Sequence, residues 1–215
     1  MQQNTETDSI LESMPRRQLS NKLVGGIGFN DSSFCIGTKI KGVVVMHRAY
    51  SAWCEMIKRC YNEKFHTRQP TYIGCEVESD WRKFSSFYKW WSENYREGMH
   101  LDKDILVIGN KTYGADYCVY VPSKINGLVS LPNKRGSTGY IGASLRKDTG
   151  KFVATGTGLD GKVYQIGVFS NPIDAHQAWH DQKLKSAMEH KGLCDEIRHD
   201  LYSCLIAKIM SYKQY

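Results

Sequence analysis

The chain lacks several features that would name a function class at once. No apolar run approaches the roughly 18–20 residues needed to cross a bilayer, so a membrane partner is not expected. No CxxC pair occurs, and zinc sites usually rest on such short chelating steps. The 7 cysteines (Cys35, Cys54, Cys60, Cys75, Cys118, Cys194 and Cys204) are odd in number and scattered through 215 residues. That pattern suits reduced, buried thiols in a cytoplasmic compartment better than a disulfide framework. Cys60, Cys75 and Cys118 with His66 form the alternative zinc set. No cysteine carries a paired-histidine nucleophile signature. The glycine-rich segment Leu23–Asp31 lacks the spacing of a phosphate loop and reads as a turn-rich entry. Internal repeats and low-complexity tracts are absent. The opening MQQNTETDSILESMPRRQ is polar and of mixed charge, and reads as a disordered tail or loose helix rather than a targeting sequence.

What is present is an ordinary core-forming composition, 41% hydrophobic and 24% charged. The net charge of +7 and pI of about 9.0 fit a polyanion partner, or simply solvated lysines. Breakers cluster at Asn126–Ser137 (Gly127, Pro132, Asn133, Gly136, Ser137). They divide the chain into a tail at 1–20, a first module at 21–127 and a second at 128–215. In the first, apolar spacing predicts a helix over Arg48–Tyr61 and another over Asp80–Tyr95, capped by Ser79 or Asp80 and stopped by Gly98. The second helix carries an aromatic stripe (Trp81, Phe84, Phe87, Tyr88, Trp91) that reads as core rather than as a base-stacking platform. In the second module, strands around Ile141–Leu145, Phe152–Gly156 and Val163–Val168 alternate with glycine turns. A helix over Pro172–His190 follows, with Ala175, Ala178, Trp179 and Leu184 facing the sheet. Cys194–Tyr212 reads as one more amphipathic helix, suited to docking on this module or on a second subunit. The expected fold class is therefore α+β.

The chemistry-bearing residues gather in His100–Asn126, which reads as strand, polar loop, strand, short helix. Asp102, Asp104, His100, Lys103, Asn110 and Lys111 lie close together there. Oxygen ligands of this kind suit a hard divalent cation, which can stabilise the leaving oxygen of a cleaved phosphodiester. The same residues also suit a solvated, charged hairpin.

Two resemblances bear on these segments. From Tyr50 to Asn126 the chain resembles the HNH-endonuclease-like proteins of bacteriophages. The resemblance is carried by Tyr50-Ser51-Ala52-Trp53, Arg59-Cys60-Tyr61, Trp81-Arg82-Lys83-Phe84, Leu101-Asp102-Lys103-Asp104, Gly109-Asn110-Lys111 and Cys118-Val119-Tyr120-Val121. The stretch Gly136–Asp181 resembles the AP2/ERF-type DNA-binding domain, in which three antiparallel strands enter the major groove. The first resemblance implies a ββα module with Asp102 as metal ligand, Asn110 as orienting residue and Asp116 as second ligand. Lys103 stands where the family has its general-base histidine, and His100, two residues before Asp102 on the same strand face, is the substitute. Mg²⁺ or Mn²⁺ is the implied cofactor. The second resemblance implies Arg146 on guanine, with Ser144, Thr155, Thr157, Lys162 and Tyr164 at the other reading positions. Lys134, Arg135, Lys147 and Lys151 fall to phosphate contacts.

Together they imply a phage-type protein in the cytoplasm of an infected bacterium. It would bind double-stranded DNA and hydrolyse a phosphodiester with a divalent metal. The rival expectation is a non-catalytic DNA-binding or regulatory protein on a degenerate HNH scaffold. An RNA-binding module is a third.

Overall fold

The computed structural model describes residues 5–16, 22–131, 137–158 and 162–212. In chain order the elements are α1 (Thr5–Ser13), β1 (Gly37–Ile40), β2 (Val43–Met46), α2 (Arg48–Tyr61), α3 (Glu63–Arg68), β3 (Glu76–Val77), α4 (Phe84–Asn94), β4 (Met99–Asp102), β5 (Thr112–Tyr113), β6 (Val119–Pro122), α5 (Ser123–Val129), β7 (Ala143–Leu145), β8 (Phe152–Thr157), β9 (Val163–Phe169), α6 (Pro172–Glu189), α7 (Lys191–Ile197) and α8 (Leu201–Met210). The fold is mixed α+β. Contacts group the chain into two compact units, Met1–Arg96 with Asn110–Cys118, and Glu97–Gly109 with Val119–Tyr215. β4 and β6, which precede the breaker cluster in sequence, and α5, which runs into it, thus share a core with the C-terminal elements.

In the first unit, α2 buries Trp53, Met56, Ile57 and Cys60 against α4, which buries Phe84, Phe87 and Trp91. The aromatic stripe is core, as its spacing implies. Trp53 Nε1 donates to the Trp81 carbonyl at 2.7 Å, so the indole's one polar atom is satisfied inside. Helix α4 begins later than expected. Asp80–Arg82 forms a 3₁₀ turn, and the cap comes from far away in sequence. Asp31 accepts the Ser85 N–H at 2.8 Å and the Ser85 hydroxyl at 2.6 Å.

Helix α2 has a similar arrangement. Its cap, His47, accepts the Ala49 N–H on Nδ1 and therefore donates from Nε2 to Glu12, at 3.0 Å. Asp8 accepts both the Arg48 N–H (3.0 Å) and Arg48 Nε (2.6 Å). Part of the expected tail is therefore the ordered helix α1, which places carboxylates at the positive end of α2 and buries Leu11 completely.

The second unit holds the antiparallel pair β4–β6 and the antiparallel sheet β7–β8–β9. Helix α6 starts at Pro172, and Asn171 Oδ1 accepts the Asp174 N–H at 2.9 Å. It packs on all three strands. Ala154 and Ala175 are both fully buried in the core that helix and sheet share. At Gly142, φ is +76° and an added Cβ would lie 2.1 Å from Trp179 Cγ. Glycine is required twice over, for its backbone conformation and for the indole resting on it.

The predicted final helix is two helices, α7 and α8, interrupted at Arg198–Asp200, where Arg198 pairs with Asp200. Leu201, Leu205 and Ile209 of α8 are fully buried within this unit's own core. That face is used inside the unit rather than offered to another subunit. Lys183 of α6 donates to the Leu128 carbonyl at 2.6 Å, near the negative end of α5, and lies over the Trp179 ring.

Gly142→Ala should lower unfolding free energy by more than about 2 kcal/mol, read by urea denaturation, because strain and overpacking coincide. Burial pushes the Lys183 ammonium down from 10.5 to about 8. Between those values the unfolded chain holds a proton that the folded chain has released, so this group adds stability as pH rises. The stability of Lys183→Met should therefore climb less steeply than that of the unaltered chain over roughly pH 8 to 10.

Candidate nucleic-acid interface

Register decides which side chains share each face of the three-stranded sheet. Ala143 opposes Ala154, which opposes Gly167, and this face meets α6. On the other face Ser144, Val153 and Val168 line up across the strands, and Thr155 opposes Gln165 as Thr157 opposes Val163. A bulge between Ala154 and Thr155 puts Ile166 out of register. It allows Gln165 and Val168, three apart in sequence, to share the outer face. Val163 is 70% exposed and Val168 40%. Ser144, Thr157 and Gln165 are also exposed. Val153, on the central strand of this face, is buried, while α6 is the described helix that packs closely on the sheet, from the other side.

The cations stand at the ends of the strands. Arg146 and Lys147 occupy the turn between β7 and β8, which closes through Gly150 at φ +66°. Lys151 and Lys162 precede β8 and β9, and all four cations are exposed. Arg146 pairs with Asp148 at 3.2 Å, an exposed contact of little worth that leaves the guanidinium available to another acceptor. The Arg146 hydrogen bond and charge hold the Asp148 carboxyl below its ordinary range.

Of the expected reading positions, Lys162 stands just before β9, and Ser144, Thr155 and Thr157 lie on the outer face. Tyr164 does not. It opposes Gly156, and an added Cβ there would sit 2.7 Å from its ring. With Gly156, Ile166 and Trp179 it lines a cleft of about 1150 Å³ on the α6 side. Lys134 and Arg135 lie outside the described residues. Val163, Gln165 and Val168 share the outer face as well, and carrying family positions over one at a time does not select them. Their signal is strand alternation, which the bulge interrupts.

The expected hydrolytic residues are distributed between the units. His100, Asp102 and Lys103 belong to the second, Asn110 and Asp116 to the first. His100 is exposed, and its Nε2 lies 2.8 Å from Ser123 Oγ. Asp102 Oδ1 accepts the N–H groups of Asp104 and Ile105, both at 2.8 Å, closing the turn after β4. Burial pushes the Asp102 carboxyl up, and the neighbouring Asp104 adds to this. Lys103 is buried and ion-paired to Asp104 at 3.0 Å, while Lys208 of α8 holds the other oxygen of Asp104 at 3.0 Å. Burial alone would raise the Asp104 carboxyl, but these two ammonium groups outweigh it and hold it low.

Asn110 bonds Thr112 at both ends of its amide, at 2.7 and 3.0 Å, shaping the loop. Asp116 is among the charges that raise Glu78, after burial. Among the described residues no three His, Cys, Asp or Glu side chains gather as a metal would need, and none of the seven cysteines forms a disulfide. The two ligands implied by the HNH resemblance, Asp102 and Asp116, fall in different units. No described helix is long and apolar enough to cross a membrane.

No protein-family model, curated protein or solved structure matches this chain.

Proposed function

We propose that the protein binds double-stranded DNA through the outer face of β7–β9. One observation carries the reading: a three-stranded antiparallel sheet, backed by α6, leaves side chains of its opposite face exposed and carries cations at its strand ends. A two- or three-stranded surface of this kind has the width to enter a major groove. Exposed lysine and arginine at its margins suit the phosphates that border the groove. The overall basic charge agrees in sign.

Phosphodiester hydrolysis is the second reading. Its support is the order β4, β6, α5: an antiparallel pair running directly into a helix, with Asp102 at the end of the first strand. Against it stand the structural commitments of Asp102, Lys103 and Asn110. Those commitments favour the non-catalytic member of the pair, a DNA-binding or regulatory protein.

Arg146→Ala should weaken binding to every duplex about equally and reduce the salt slope by about 1, measured by fluorescence anisotropy. A loss of roughly 1–3 kcal/mol confined to one preferred duplex would assign Arg146 to a base instead. Plasmid nicking with Mg²⁺ or Mn²⁺ separates the two readings. Asp102→Asn is the informative variant, since the amide oxygen still accepts the turn's N–H groups while the charge is lost. Nicking by the unaltered chain that this variant abolishes supports hydrolysis. Intact DNA under conditions where binding is retained supports the non-catalytic reading.

A further inference from the structure

We infer that the outer face of β7–β9 selects A·T-rich duplexes by touching thymine C5-methyl groups, an inference that rests on the DNA-binding reading above. The three strands (Ala143–Leu145, Phe152–Thr157 and Val163–Phe169) contain no Asp, Glu, Lys or Arg at all. Guanine is read chiefly by arginine or lysine, and cytosine by a carboxylate. This face offers neither along its strands. It offers the methyl groups of Val168 and, at the strand ends, of Val163 and Thr157, with Val163 70% exposed. It also offers Gln165, directly opposite Thr155, and glutamine suits the paired donor and acceptor of adenine. In the major groove thymine is the one base with a methyl group, so an apolar face gains there and nowhere else.

Charge complementarity commits the occupant to nucleic acid. Among the described residues, the strand ends carry Arg146, Lys147, Lys151 and Lys162 against Asp148. Exposed valines ringed by cations suit a polyanion whose groove floor is partly apolar.

The test uses the full chain and short synthetic duplexes at matched salt, read by fluorescence anisotropy. One duplex is A·T-rich, the second has every thymine replaced by deoxyuridine, the third is G·C-rich, and the fourth is the third with 5-methylcytosine. Deoxyuridine removes only the methyl group, so binding should weaken by about fourfold per contacted methyl. 5-Methylcytosine, which restores a methyl at the same groove position, should strengthen binding to the G·C duplex. Val163→Ser, at an exposed site that packing does not constrain, should shrink the thymine-to-uracil ratio. Equal binding of the thymine and uracil duplexes overturns the inference and leaves DNA binding standing. A ratio that persists in both Val163→Ser and Val168→Ser also overturns it, by assigning the preference to duplex shape. Failure to bind any duplex at low salt removes the DNA-binding reading itself.

Discussion

The close approach of α6 to the three-stranded sheet is the constraint on which the second unit depends. Small, fully buried Ala154 and Ala175 lie in the core between helix and strands, and Trp179 rests where Gly142 has no side chain. A helix that close saturates one face of the sheet. The other face is then free of the core, and its side chains answer to whatever lies outside. Dispersion gained in such an interlayer depends steeply on distance, so one added carbon at Gly142 would be felt across the sheet.

The buried charges obey the rule that a carboxylate leaves water only when it is paired or capped. Asp8 accepts from the start of α2 and from Arg48. Asp104 sits between two ammonium groups, and Asp102 accepts two backbone donors. The residues that most suggest catalysis are thus also among those most needed for the turn after β4. A carboxylate capping a turn and a carboxylate holding a metal have the same sequence signature. Only the partners of each oxygen separate the two roles.

The proposed interface divides its labour by position. Cations at the strand ends suit a backbone they need not distinguish, and the uncharged centre suits base edges. Affinity of the first kind is strongly salt-dependent, while methyl contact of the second kind is not. The two contributions are separable in solution.

Local chemistry was legible where it was strong and short-ranged. The ends of α2, the three strands of the C-terminal sheet, the Asn171–Pro172 start of α6 and the burial of Trp179 follow from spacing, capping and turn residues alone. The interruption at Arg198–Asp200 was not legible, since apolar periodicity runs on through it. Nor were the caps that Asp8 and Asp31 supply to α2 and α4, because hydrogen bonds between residues tens of positions apart leave no periodic trace. By itself, then, the sequence determined the helices α2 and α6, the C-terminal strands and which side chains are apolar enough to be buried. Tertiary structure alone decided that Lys103 and Lys208 both serve Asp104 and that Tyr164 turns toward α6. It likewise decided that a bulge at Ile166 brings Gln165 and Val168 to one face. The reason is physical: period-two alternation holds only along an unbroken ladder, and a single out-of-register residue reassigns every side chain beyond it.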